Sequence, residues 1–157
     1  HKGRSITYDV ARPGLNYRMD EMRAALGSVQ LDKLLEGNRS RERLTERYRA
    51  NLKSSSVEMP FSDQPTGSVS AYHILPVLLP VHIDRAAVIN ALKEKRIQSS
   101  IHHPPFWNFA AYEGQFSPEQ APIVSQISER QLTLPLFPTM TKAEVDKVTT
   151  ALLQTVG

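Results

Sequence analysis

Asn16 and Arg18 are the residues of this chain best suited, by type and position, to hold an anion. They follow a Pro13-Gly14 turn and stand just ahead of a strongly helical segment that opens at Asp20. The first turn of a helix leaves backbone N–H groups without partners, and the dipole is positive there. Phosphate and carboxylate are attracted to that end. An amide and a planar guanidinium fork placed beside it add donors of suitable geometry. Spacing alone also allows an ordinary helix start with a solvent-facing arginine.

The second chemical cluster is His102-His103-Pro104-Pro105-Phe106-Trp107, continuing to Phe109 and Tyr112. It follows a strand candidate, and strand ends are where α/β folds place ligand groups. Two prolines stiffen the loop, and the aromatic rings can wall a pocket or complete the core. Adjacent residues of an extended segment point to opposite faces, so one histidine at most is expected to face a given site.

Other chemistries lack support. There is no cysteine and no His-x-x-x-His helix, and His73, His82 and His102 are far apart, so a metal centre is not expected. No Gly-x-Ser-x-Gly elbow or glycine-rich phosphate loop is present. Arg39, Arg41, Arg43, Arg47 and Arg49 share one helical segment, but at about 100° per residue they spread around it. Glu36, Glu42 and Glu46 interleave with them, which reads as a salt-bridged surface rather than a nucleic-acid face.

The elements that must carry these groups follow from periodicity. Asp20 suits an N-cap, and Met22, Leu26 and Val29, then Leu44, Tyr48 and Leu52, recur at helical spacing. This predicts one long helix over 20–53, or two consecutive ones divided near Gly37-Asn38. A loop with a short strand near Val57 follows. Strands are expected at 71–79, with Pro76 at an edge or bulge, at 97–101 and at 132–136. A helix capped by Asp84 should bury Ala87, Val88, Ala91 and Leu92. Ser117 with Gln120, and Thr141 with Glu144, are capping boxes for two more helices. The later of these should bury Val145, Val148 and Leu152. The order implies an α/β fold: a small, three-stranded sheet covered by helices.

At 157 residues and a formal net charge of +3, the chain suits one domain with an extra arm and does not demand a nucleic-acid partner. The absence of cysteine fits a reducing, cytoplasmic setting. No run approaches the roughly 18 apolar residues of a membrane span, so no membrane partner is expected. The chain opens on His1 rather than Met, and a piece of a longer protein is the expectation.

Four segments in register carry a resemblance. Gly14-Leu15-Asn16-Tyr17-Arg18-Met19, with Ala24-Ala25 and Gln30-Leu31, resembles the "GxNxRM…AA…QL" segment of DegT/DnrJ/StrS-type sugar aminotransferases. Ser70-Ala71-Tyr72-His73 resembles their "SxYH". The run from Arg96 to Pro105 resembles "GIxTxxHYxP". That from Leu132 to Thr141 resembles "LxLPLxPxLT". These are pyridoxal 5'-phosphate enzymes of the aspartate aminotransferase fold (fold type I).

The resemblance implies the C-terminal part of such an enzyme: a segment over 1–19 carrying the cofactor-phosphate and dimer loop, a long interdomain helix over 20–53, and a small α/β domain over 54–157. It implies amino transfer, commonly from glutamate, to a nucleotide-linked keto-sugar, by a homodimer whose sites lie at the subunit interface. Asn16 and Arg18 would serve the cofactor phosphate, and Tyr17, His102 and His103 the substrate. His103 stands where the family has tyrosine. None of Lys2, Lys33, Lys53, Lys93, Lys95, Lys142 and Lys147 has the context of the family's cofactor-bearing lysine. The chain by itself is therefore expected to be inactive, and its long helix to expose apolar surface that promotes self-association. A regulatory or partner protein of the same fold, and less so a nucleic-acid module, are the competing readings.

Overall fold

The computed structural model describes residues 14, 15, 17–62 and 67–157. Asn16 therefore lies outside the described residues. The chain divides into two compact units, and the division falls between Leu34 and Leu35, inside the first helix.

In the first unit, the Asp20 carboxylate accepts the Arg23 backbone N–H at 2.8 Å and pairs with the Arg23 guanidinium. The helix it caps, α1 (Glu21–Leu52), begins one residue later. Met22, Leu26 and Val29 form the predicted stripe, and all are exposed.

The second unit holds the rest of α1, which runs unbroken past Gly37. Gly37 faces Pro138 there, and Ser40 Oγ donates to the Pro138 carbonyl at 2.8 Å. These contacts hold the helix where propensity alone would weaken it. Beyond them Leu44, Tyr48 and Leu52 are buried. Tyr48 donates its hydroxyl to the Pro135 carbonyl at 2.9 Å, and burial pushes its phenol pKa up.

The sheet is smaller than expected. β1 (Leu75–Leu78) pairs antiparallel with β2 (Gln131–Leu134), with Pro76 opposite Thr133. The segment at 97–101 contributes only the Ser100–Thr133 bridge, and the segment near Val57 only the Glu58–Leu78 bridge. Among the described residues, two strands flanked by two bridges thus replace the three predicted strands. Tyr72 at φ +48° takes the chain out of extended geometry before β1. Pro135, without an N–H, follows the last residue of β2.

The register also explains how Pro76 is tolerated. Thr133 exchanges both of its backbone hydrogen bonds with Ser100, at 3.1 and 2.8 Å. The N–H and C=O of a strand residue point to the same side, so those of Thr133 face away from Pro76. Proline costs no ladder bond at that pair.

The helices follow their caps. α2 (Arg85–Glu94) starts after Asp84, whose side chain accepts the Ala86 N–H. It buries Val88 and Leu92, while Ala87 is exposed and Ala91 half-buried, a narrower face than predicted. Gln120 caps the Ser117 N–H at 2.9 Å, but the turn it closes is a single 3-10 turn. α3 (Pro122–Arg130) begins only at Pro122, and Ile123, Val124 and Ile127 on it are exposed. α4 (Lys142–Val156) carries the predicted Thr141–Glu144 box and buries Val145, Val148 and Leu152. With Leu75, Val77, Leu79, Leu132 and Leu134 these side chains form the core.

The arginines of α1 act as clamps. Arg47 grips Asp146 of α4 through two bonds of 2.8 and 2.9 Å, and Asn51 donates to the same carboxylate at 2.8 Å. These bonds, Arg47's first, hold the Asp146 carboxyl down to about 2. Arg41 donates to the Ala71 carbonyl, Arg49 to the Phe61 carbonyl, and Arg43 pairs with Glu36. They point to different partners, as the interleaved charges predicted.

Candidate functional site

The site residues predicted from the sequence fall in both units. Tyr17 and Arg18 belong to the first, His102 and His103 to the second. Tyr17 is 86% exposed, and Arg18, also exposed, is held at φ +36°. A non-glycine residue in that region stores strain of order 1 kcal/mol or more. At the N-terminus of α1 the Asp20 carboxylate takes the Arg23 N–H, and the Arg18 guanidinium just before it is exposed.

The strand-end cluster is built on β2. Gln131 and Thr133 stand two residues apart, so both side chains leave the same face of the strand. Both are buried. The Gln131 Nε2 donates to Thr133 Oγ1 at 2.7 Å. Its Oε1 accepts the His102 backbone N–H at 3.2 Å. Thr133 Oγ1 lies 3.2 Å from His102 Nδ1, and Ser100 Oγ lies equally close to that nitrogen. The His102 ring, itself exposed, is thus tied to the sheet through one edge.

His103 does not turn to the opposite face. Its ring centroid lies 5.1 Å from that of His102, edge to face. Strict alternation belongs to paired extended strands, and the backbone after Ser100 has left the ladder.

Phe106 anchors the aromatic loop rather than opening it into a wall. It meets Trp107, Tyr112 and Phe116 edge to face, at 5.3, 5.7 and 4.8 Å between centroids. Each such pair adds roughly 0.5–1.5 kcal/mol beyond its buried area. Phe116 joins the residues expected in this loop, and Phe106, Phe109, Tyr112 and Phe116 all remain exposed to a similar extent.

Ser100 and Thr133 also line a groove of about 460 Å³, together with Arg96, Phe137, Met140 and Lys147. Gln131, Thr133 and Ser100 were not singled out from the sequence. The usable signal was Gln-x-Thr in an otherwise apolar strand: two polar side chains on one face, which a core strand carries only with partners. Among the described residues no group of three His, Asp or Glu side chains could hold a metal ion, and no helix is long and apolar enough to cross a membrane.

Comparison with known proteins extends these local features to the whole chain. Residues 1–153 match the model of the DegT/DnrJ/EryC1/StrS aminotransferase family. A DegT DnrJ EryC1 StrS aminotransferase from Brucella abortus is 28% identical, with a TM-score of 0.79 over 99% of this chain and 40% of that one. A Streptococcus pneumoniae protein described as a sugar aminotransferase, in its PLP-form, is 25% identical, with a TM-score of 0.80 over 97% and 39%. DesV from S. venezuelae is 25% identical, with a TM-score of 0.79 over 94% and 39%. The chain spans about two fifths of the length of these structures. The mixed α/β fold with a small sheet and a long N-terminal helix is the one they share with it. A family match over nearly every residue, carried by that common fold, shows that the chain belongs to the DegT/DnrJ/EryC1/StrS aminotransferase family.

Proposed function

We propose that this chain is the C-terminal part of a pyridoxal-phosphate-dependent aminotransferase that moves an amino group from glutamate to a nucleotide-linked keto-sugar. The family match over residues 1–153 carries this reading. The cofactor, when bound, supplies the electron sink that transamination needs.

The donor chemistry of the described residues suits one end of that cofactor. The exposed Arg18 guanidinium is suited to its phosphate, with Asn16 two positions before it in sequence. Neither the arm at 17–20 nor the cluster of Ser100, His102, His103, Gln131 and Thr133 contains a lysine amine. These residues can therefore hold and orient; Lys147 lines the same groove as Ser100 and Thr133 but lacks the sequence context of the cofactor-bearing lysine, and that amine is assigned to an upstream segment. Tyr17, His102 and His103 are proposed to meet the sugar substrate.

Homodimer formation belongs to the same reading. Its support is the exposed stripe of Met22, Leu26 and Val29, which gains by being covered by a second copy.

The test supplies the purified chain with pyridoxal phosphate, glutamate and nucleotide keto-sugars and follows 2-oxoglutarate. The chain alone should form none. Protein joined to an upstream segment with a lysine followed by Gly-Glu-Gly-Gly should form it. Turnover by the chain alone would refute the division of labour. No turnover by the joined protein, with its lysine intact, would favour a regulatory role for this fold.

A further inference from the structure

We propose that Gln131 and Thr133 form a one-way hydrogen-bond relay that sets His102 in the Nε2–H tautomer, making it a positioned donor toward an oxygen of the ligand. The relay follows from counting donors and acceptors along a short chain of groups.

The backbone N–H of His102 can only donate, so the atom it meets on Gln131 must be the oxygen. The other end of that amide is then the NH2 group, which can only donate. It donates to Thr133 Oγ1 at 2.7 Å. Thr133 is buried, and its own hydroxyl hydrogen needs an acceptor. The remaining partner of Oγ1 is His102 Nδ1 at 3.2 Å. Thr133 therefore donates into the Nδ1 lone pair. A neutral imidazole with Nδ1 accepting carries its proton on Nε2.

Ser100 Oγ lies at the same distance from Nδ1, but Ser100 is exposed. Its hydroxyl is open to solvent whereas that of buried Thr133 is not, so Thr133 has the stronger need of the single lone pair. The direction of the whole relay is set by a backbone amide whose polarity cannot be reversed.

The consequence rests on the proposed function. With Nε2–H directed away from the sheet, neutral His102 recognises an acceptor oxygen on the nucleotide-linked sugar, whether hydroxyl, carbonyl or phosphate. It does not serve as a base through that nitrogen. Gln131 and Thr133 are positioning residues that act through the ring.

The test is long-range proton–nitrogen NMR of the 15N-labelled chain, at a pH high enough for the ring to be neutral. His102→Gln identifies the His102 signals among the five histidines. The wild type should show Nδ1 unprotonated and Nε2 protonated, as a single form. Thr133→Ser, which keeps the hydroxyl, should retain it. Gln131→Glu should invert it. The carboxylate accepts from Thr133, so Thr133 Oγ1 accepts in turn from His102, and Nδ1 becomes the protonated nitrogen.

A protonated Nδ1 in the wild type, or an unchanged spectrum in folded Gln131→Glu, overturns the relay. Should Gln131→Glu not fold, Thr133→Val decides, with Ser100 left in place. Shifts averaged between the two tautomers support the relay, and retention of the single form overturns it. No substrate enters this measurement. A correct tautomer with no transamination by the joined, lysine-bearing protein sinks the enzymatic reading alone, and active joined protein with Nδ1 protonated sinks the relay alone.

Discussion

Along α1 the same apolar spacing occurs twice, and the two copies meet different fates. Met22, Leu26 and Val29 are exposed, whereas Leu44, Tyr48 and Leu52 are buried among the strands and α4. Periodicity reports that a helix has a face to cover. It does not report what covers it. In the second half, the flanking charges also find distant partners, with Arg47 and Asn51 both on Asp146. In the first half, the charge contact is local, Asp20 with Arg23.

The largest test of this contrast is to truncate one side chain from each half. Leu52→Ala should cost about 2–5 kcal/mol by chemical denaturation, because it leaves a cavity in a packed core. Leu26→Ala should stay within about 0.5 kcal/mol, as exposed substitutions do. Its effect should instead appear in sedimentation, as weaker self-association. Equal losses of stability at both positions would mean that the first stripe is buried in solution.

Next in size is Tyr48→Phe. It keeps the ring and removes the donor to the half-buried Pro135 carbonyl, at a cost of about 0.5–1.5 kcal/mol. No loss would show that the carbonyl has another partner.

The Arg47–Asp146 clamp predicts a pH limb. The Asp146 carboxyl sits at about 2 when folded, below the roughly 3.9 of an unfolded aspartate. The unfolded chain then binds more protons in that window, so this contribution is whole above about pH 4 and fades as pH falls toward about 2. Asp146→Asn should flatten this part of the acid limb. The pair is partly exposed, so salt should weaken the effect. A limb unchanged in Asp146→Asn would refute the assignment.

The smallest effect is at Gly37, where the helix crosses from its exposed to its buried half. A β-carbon there would meet Pro138 at 3.6 Å, an ordinary contact. Gly37→Ala should therefore raise stability by up to about 1 kcal/mol through helix propensity alone. A loss would show that Pro138 needs the closer approach of bare backbone.

Legibility varied with the range of the interaction. The caps at Asp20, Asp84 and Thr141 were readable because capping joins residues two or three apart. The buried stripe of α4 was readable because the helix repeats locally. The strand at 97–101 was overestimated, because β-pairing depends on a neighbour that the segment itself does not contain. In the candidate site, His102 and His103 stood out as chemistry beside prolines and aromatics. Gln131 and Thr133 did not, since nothing local marks them as partners of a ring some thirty residues earlier.

By itself, the sequence determined the starts of α1, α2 and α4, the mixed α/β class, and the four motif segments that carry the family. Each depends on neighbours within a turn or on residue type at fixed spacing. The tertiary structure decided which half of α1 is covered, that Arg47 reaches an aspartate 99 positions away, and that Gln131 and Thr133 hold His102 across 29 and 31 positions. These contacts exist only once β2, α1 and α4 have come together. They take their geometry from packing, which residue spacing does not encode.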